Sequence, residues 1–219
     1  MMRTLTLVSS CLILLFFLVT NASAEHARPY FSLVGGLNLA DEIILSDQEG
    51  DYVASLDTGF FSGGALGYDL ADGFPQLGKG RIELEAGYRY NLLKDVQFST
   101  GNVYAEGELT VISIMFNCVG EYEDYSPYYV PYIGLGLGAA LVSMNETSAG
   151  GSPMIDDNST PFAFQVFTGL SFPLLDNLDF DLGYRYFGTV DPEFTDSKNL
   201  KVNADYAYHN FEIGLRLGF

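Results

Sequence analysis

From Pro29 to Phe219 apolar and polar positions alternate with a period of two almost without interruption, which is the pattern of strands that show one face to an apolar medium. Eight segments carry it, roughly 29–40, 57–70, 80–92, 105–119, 128–142, 161–173, 177–188 and 203–219. Most have the about 9 to 11 residues or more that a tilted strand needs to cross a bilayer. The connections after the first, third, fifth and seventh segments are long and polar, among them DEIILSDQEGDYVAS (41–55) and SMNETSAGGSPMIDDNST (143–160). The others tend to be short, the tightest being PLLDN at 173–177. This predicts an all-β fold, an eight-stranded antiparallel transmembrane β-barrel with up-and-down meander order, its even strand number placing both ends on one side.

Alternation alone leaves open which face points inward, because a soluble barrel hides its apolar face and a lipid-embedded one displays it. Three features favour lipid. Tyr88, Tyr90, Tyr184 and Tyr186 share the apolar face at the ends of segments three and seven, where an interfacial aromatic girdle belongs. The last segment alternates Phe211, Ile213, Leu215, Leu217 and Phe219 with polar or glycine positions. The opposite face combines charge with glycine, which suits a crowded lumen.

The amino terminus stands apart from this pattern. Arg3, the apolar run CLILLFFLV (11–19) and the small residues ASA (22–24) read as an export leader over 1–24, with the barrel occupying 25–219. A lipidation box, VSSC ending at Cys11, is the alternative, but the main apolar run then follows the cysteine. Cleavage leaves Cys118 without a partner for an intramolecular disulfide. Its alternation with Ile112, Ile114 and Phe116 puts it on the lipid face as a small apolar filler.

Charge narrows the choice of partners. Of 10 basic and 28 acidic side chains Arg3 leaves with the leader, so nine stand against 28, a formal −19. Nucleic acid is excluded on repulsion from its phosphates.

Two stretches repeat one another, ELEAGYRY at 83–90 and DFDLGYRY at 179–186. As strands three and seven of an eight-stranded ring they face each other across the lumen. Their inward positions, with strand eight, are Arg81, Glu83, Glu85, Arg89, Asp179, Asp181, Arg185, Glu212 and Arg216, four arginines and five carboxylates. Near balance predicts a structural ion-pair network that fills a narrow interior, in place of the charge bias of a selective pore. It predicts further that loss of Arg89 or of Arg185 strands a buried acid, at about 3 to 5 kcal/mol each. About −18 of the charge is then left to loops, turns and termini; DEIILSDQEGD (41–51) and DPEF (191–194) are read as facing outward and EYED (121–124) as a periplasmic turn. Ca²⁺ or Mg²⁺ bridging the acidic loops to lipopolysaccharide is one expectation, simple solvation the other.

No catalytic constellation emerges, and the reading is of a protein that is not an enzyme and holds no cofactor or metal. His26 lies beside the cleavage site and His209 on the outward face of the last strand. The pairs Glu83 with Glu85 and Asp179 with Asp181 match glycosidase carboxylates only in residue type. No nucleotide loop or zinc spacing is present.

On PYIGLGLGAA (131–140), LDFDLGYRYF (178–187) and HNFEIGLRLGF (209–219) the chain resembles the small opacity-type surface proteins, within the eight-stranded outer-membrane barrels. The likeness extends over nearly all of the mature chain. It implies a cell outer membrane location, contact with outer-membrane lipid and lipopolysaccharide, and a terminal aromatic, here Phe219, read by the outer-membrane assembly machinery. Leu217 and Gly218 depart from the aromatic or charged residues common at those positions. The lipid A deacylase barrels carry a histidine two residues before a nucleophilic serine; His209 is followed by Asn210 and Phe211, so that pattern is missing. The expected function is structural or adhesin-like, through acidic extracellular loops that meet a host or envelope ligand, in a monomer. A narrow small-solute channel is the alternative, and a lipid-modifying enzyme stands behind it.

Overall fold

In the computed structural model, the structure describes residues 28–40, 43–47, 50–74, 78–98, 101–122, 125–190, 192–195, 200–205 and 207–219. The expected leader and its cleavage site lie outside them. Fourteen strands follow one another: β1 (Pro29–Ala40), β2 (Ile43–Asp47), β3 (Gly50–Leu56), β4 (Gly59–Phe74), β5 (Gly78–Phe98), β6 (Gly101–Glu121), β7 (Val130–Ala149), β8 (Ser152–Pro153), β9 (Asp157–Ser159), β10 (Phe162–Leu175), β11 (Leu178–Val190), β12 (Glu193–Thr195), β13 (Lys201–Asp205) and β14 (Ala207–Gly218).

Eight of these close a ring. The antiparallel ladders run β1–β4–β5–β6–β7–β10–β11–β14 and return from β14 to β1, from Tyr30↔Gly218 to Ala40↔Tyr208. Closure removes every free sheet edge, which a bilayer demands because it offers no water to unpaired backbone groups. The period of two then sorts the side chains. Leu84 is 43% exposed, whereas its neighbours Glu83 and Glu85 are 7% and 2% exposed. Leu33, Leu66, Leu135, Leu182 and Ile213 join Leu84 on the outer wall.

The barrel is taller than its sequence pattern suggested. Connections expected as polar loops are themselves strands. β3 carries the line of β4 onward along β5, with Val53↔Gln97 and Ala54↔Val96. β2 pairs with both β3 and β13, β13 pairs with β12, and β9 pairs with β7. The ring therefore continues as a second storey at the end away from both termini. One seam in this storey has no ladder in the described residues: β9 and β12 meet through side chains, Glu193 N donating to Ser159 Oγ at 3.2 Å and Thr195 N to Asp157 Oδ2 at 2.8 Å.

The second storey has an apolar interior because its inward positions are apolar. Ile43, Leu45, Val96, Val111, Met115, Val142, Phe194 and Val202 form one buried cluster. A bulge feeds it. The β6–β7 register shifts between Glu106 and Glu108, where Gly107 has φ +145° and a Cβ would press on Thr147 Cα at 2.8 Å. Only glycine fits there without strain. Thr147 Oγ1 donates to Ile155 O at 2.5 Å and accepts from Ile155 N at 2.8 Å, which ties Ile155 into the cluster.

Candidate site: the charged lumen

The lower lumen, toward Pro29 and Phe219, carries the charged groups, around a small apolar cluster of Val119, Tyr132 and Phe167. Arg81 on β5 holds Glu83 at 3.1 Å through Nε and also pairs with Glu121 on β6. Tyr30 Oη donates to Glu83 Oε1 at 2.7 Å. Asn117 Nδ2 donates to Glu83 Oε2 and to Glu85 Oε2, both at 3.2 Å, and Gln165 Nε2 donates to Asn117 Oδ1 at 2.7 Å. Room for these groups comes from glycine: a Cβ on Gly136 would strike Asn117 and Gln165.

Arg216 is the hub of the lower end. Its guanidinium lies 3.1 Å from Glu121, 3.2 Å from Asp179, 3.8 Å from Asp181 and 3.9 Å from Asp69, and its Nη2 donates to Ser171 Oγ at 3.0 Å. Higher up, Arg185 joins opposite walls. Its Nη1 sits 2.6 Å from Glu85 Oε1, while Nε and Nη2 form a fork on Glu212 at 2.9 and 3.0 Å. Charge-assisted bonds of this kind are about twice as strong as neutral ones, and both Arg185 and Arg216 meet opposite charges.

Two sequence expectations change. Glu121, assigned to a periplasmic turn, is buried in the lumen, because β6 keeps its alternation two residues past Val119; residues 123 and 124 of that turn lie outside the described set. With Asp69, which shares the inward parity of Phe61 and Ala65, the described lumen holds four arginines against seven carboxylates, not five. At the mouth the two added acids stand beside Arg28 and Lys79, which line it as well. Extending the alternation of β6 by two residues would have found Glu121, whereas Asp69 already stood on the inward parity of the 57–70 segment.

The second change concerns Arg89. It is fully buried but has no carboxylate partner among the described residues. Arg185 has taken Glu85 and Glu212, and Arg89 instead lies between two rings, with its guanidinium carbon 4.5 Å from the Phe61 centroid and 3.7 Å from that of Phe187. Its Nη1 donates to Ser113 Oγ at 3.1 Å. The repeated stripe thus gives one arginine an acid and the other an aromatic clamp.

The lower mouth of the lumen is open. A vestibule of about 500 Å³ opens there, lined by Arg28, Asp69, Lys79, Glu121, Asp179 and Arg216. Above it the ion-pair layer encloses only about 40 Å³ and the apolar storey about 20 Å³, room for a water or two in each.

The outer wall carries rings at the upper rim of its lipid face. Phe60 packs on Tyr88 and Tyr90 with centroids 5.7 Å apart, and Tyr184 hydrogen-bonds His209 Nδ1 at 2.6 Å. His209 is therefore part of an aromatic group with Tyr186 and Phe211 nearby. Cys118 is exposed on the outer face. Among the described residues no group of three metal-binding side chains forms. Most side chains of 41–51 lie outside the described set, as does Asp191, while Glu193 is exposed and pairs with Lys201.

The family described as outer membrane protein beta-barrel domain matches residues 9–219. The crystal structure of Neisserial surface protein A superposes with a TM-score of 0.54 at 21% identity, over 89% of this chain and 100% of that one. The crystal structure of the outer membrane protein OprG from Pseudomonas aeruginosa gives 0.55 at 16%, over 89% and 97%. Identities this low show the fold alone. No curated protein sequence matches the chain.

Proposed function

The chain belongs to the outer-membrane protein β-barrel domain family, and we propose that within the outer membrane it is a closed, surface-presenting barrel whose acidic outer storey makes contacts beyond the cell. The observation that carries this reading is the sequence of seals along the axis. A ligand leaving the lower vestibule meets the Arg81, Glu83 and Glu121 ion pairs, then the Arg185 cross-brace, then an apolar plug. An apolar layer opposes the passage of ions, and the charged layer beneath it encloses only about 40 Å³. What remains for function is the outer surface, where Glu106, Glu108, Glu146, Asp156 and Glu193 are exposed against Lys94 and Lys201. The reading includes a monomer without enzymatic activity, whose ion pairs serve stability and whose Phe219 is the aromatic recognised by the assembly machinery.

A narrow channel is the competing reading, favoured by the 500 Å³ vestibule, which resembles a pore mouth. Planar-bilayer recording separates the two: a sealed barrel gives no steady current, and a reproducible single-channel conductance rejects it. Binding of cells with and without the protein to host matrix and glycan surfaces then tests the outward role. Equal binding to every surface rejects that role.

A further inference from the structure

Arg89 is a buried cation with a vacant edge. Its Nη1 is used by Ser113, while Nε and Nη2, the two nitrogens that share the other side of the guanidinium, have no hydrogen-bond partner. The rings of Phe61 and Phe187 pack against the group. What is left unfilled is a pair of parallel N–H donors, the fork that a carboxylate accepts side-on. Glu85 and Glu212 are already held by Arg185, so the described chain supplies no acid for it.

Phe187 places this fork at the floor of the apolar storey, for it belongs to the same buried cluster as Val111, Met115 and Val142. The composition of that cluster is informative. The chain has five methionines; Met1 and Met2 lie in the leader, and the other three, Met115, Met144 and Met154, all pack in or against this cluster. Methionine is the apolar side chain that yields most easily to a guest, since it is unbranched and polarizable. The residual void of about 20 Å³ is lined by Met144 and Met154 and does not reach Arg89, so a guest meets the fork only by displacing such side chains. The β9–β12 seam is held by the side chains of Ser159 and Asp157, with no ladder among the described residues.

We propose that the upper half of the lumen is a binding site for an amphiphile with a single carboxylate head, seated on the Nε–Nη2 edge of Arg89, its aliphatic chain along the β6–β7 wall of Val111, Val142 and Met144. The class follows from the site: one cation, two parallel donors, and an apolar wall beside them, while Asn91, next above Arg89 on β5, is held by Asn38. A neutral alcohol lacks the charge and acetate lacks the chain. This site is separate from the outward contacts proposed above and stands or falls without them.

The test is native mass spectrometry of the folded barrel, released from a non-ionic detergent, with decanoate, decanol or acetate. One decanoate per barrel is expected, with neither decanol nor acetate retained. Arg89→Met lowers decanoate retention at least about tenfold, the loss of one charge-assisted fork. Met144→Trp, which fills the chamber and leaves Arg89 in place, lowers it as well. Isotope labelling of the decanoate carboxyl carbon adds a reading on the unaltered protein: the bound head stays ionised at a pH where micellar decanoate is protonated. If Arg89→Met does not fold, this resonance decides. Equal retention by a folded Arg89→Met variant, equal retention of decanol, or a carboxyl that titrates as in micelles overturns the proposal.

Discussion

Arg185 Nη1 lies 2.6 Å and 2.7 Å from the two carboxylate oxygens of Glu85, a residue 100 positions away on the facing wall. The contact joins the two copies of the repeated stripe, since Glu85 belongs to ELEAGYRY and Arg185 to DFDLGYRY. It works as a strut because Arg185 also holds Glu212 on the neighbouring strand through a separate pair of nitrogens. One guanidinium therefore fixes three strands, β5, β11 and β14.

Removal of that guanidinium leaves two buried acids without a cation. Arg185→Met is expected to cost about 3 to 5 kcal/mol, read as a lowered urea midpoint for the barrel in micelles or bilayers. A shift no larger than that of Lys201→Ala, which breaks an exposed pair, counts against the strut.

Arg89 should behave differently despite its matching place in the repeat. It has no acid to strand, and the ring contacts it gives up are offset by the desolvation it no longer suffers. Arg89→Met is expected to stay within about 1 kcal/mol of the parent protein. The same urea titration decides, and a loss as large as that of Arg185→Met would mean that Arg89 neutralises a buried acid.

The outer wall makes a third prediction. Leu84 faces away from the lumen between two buried glutamates, and Leu84→Arg puts a charge into hydrocarbon at a cost of about 2 to 4 kcal/mol near the midplane. Folding yield into lipid vesicles measures it. An unchanged yield would reverse the assignment of inside and outside.

The seam of the outer storey responds to acid. Backbone N–H groups of Asn158 and Thr195 donate to Asp157, each at 2.8 Å, and hold its carboxyl below the usual aspartate value near 3.8. A lowered value means that the charged form favours the closed seam. Its contribution is complete above that usual value and is lost as the pH falls through the lower folded value. Amide exchange at Thr195, corrected for its intrinsic rate, should lose protection over that range in the parent protein. In Asp157→Asn it should show no such step; a step that persists there assigns the transition to another group.

The alternation of Leu84 and Leu182 with carboxylates was enough to determine a barrel with its greasy face outward, because a period of two admits only two faces and buried charge needs company. Eight ring strands and the inward set of charges were legible for the same reason. Three things were not. Strand continuation past residues 40, 92 and 142 was hidden, since short apolar runs such as IIL at 43–45 read equally well as loop or strand until a neighbouring backbone offers them a ladder. Glu121 was hidden by lying two residues past the pattern's apparent end. The split between Arg185 and Arg89 was beyond any one-dimensional reading. Both occupy the same place in the same motif, but barrel stagger brings Glu85 and Glu212 within reach of one and Phe187 onto the other. Parity decided which way each side chain points, and only the closed ring decided what it finds there.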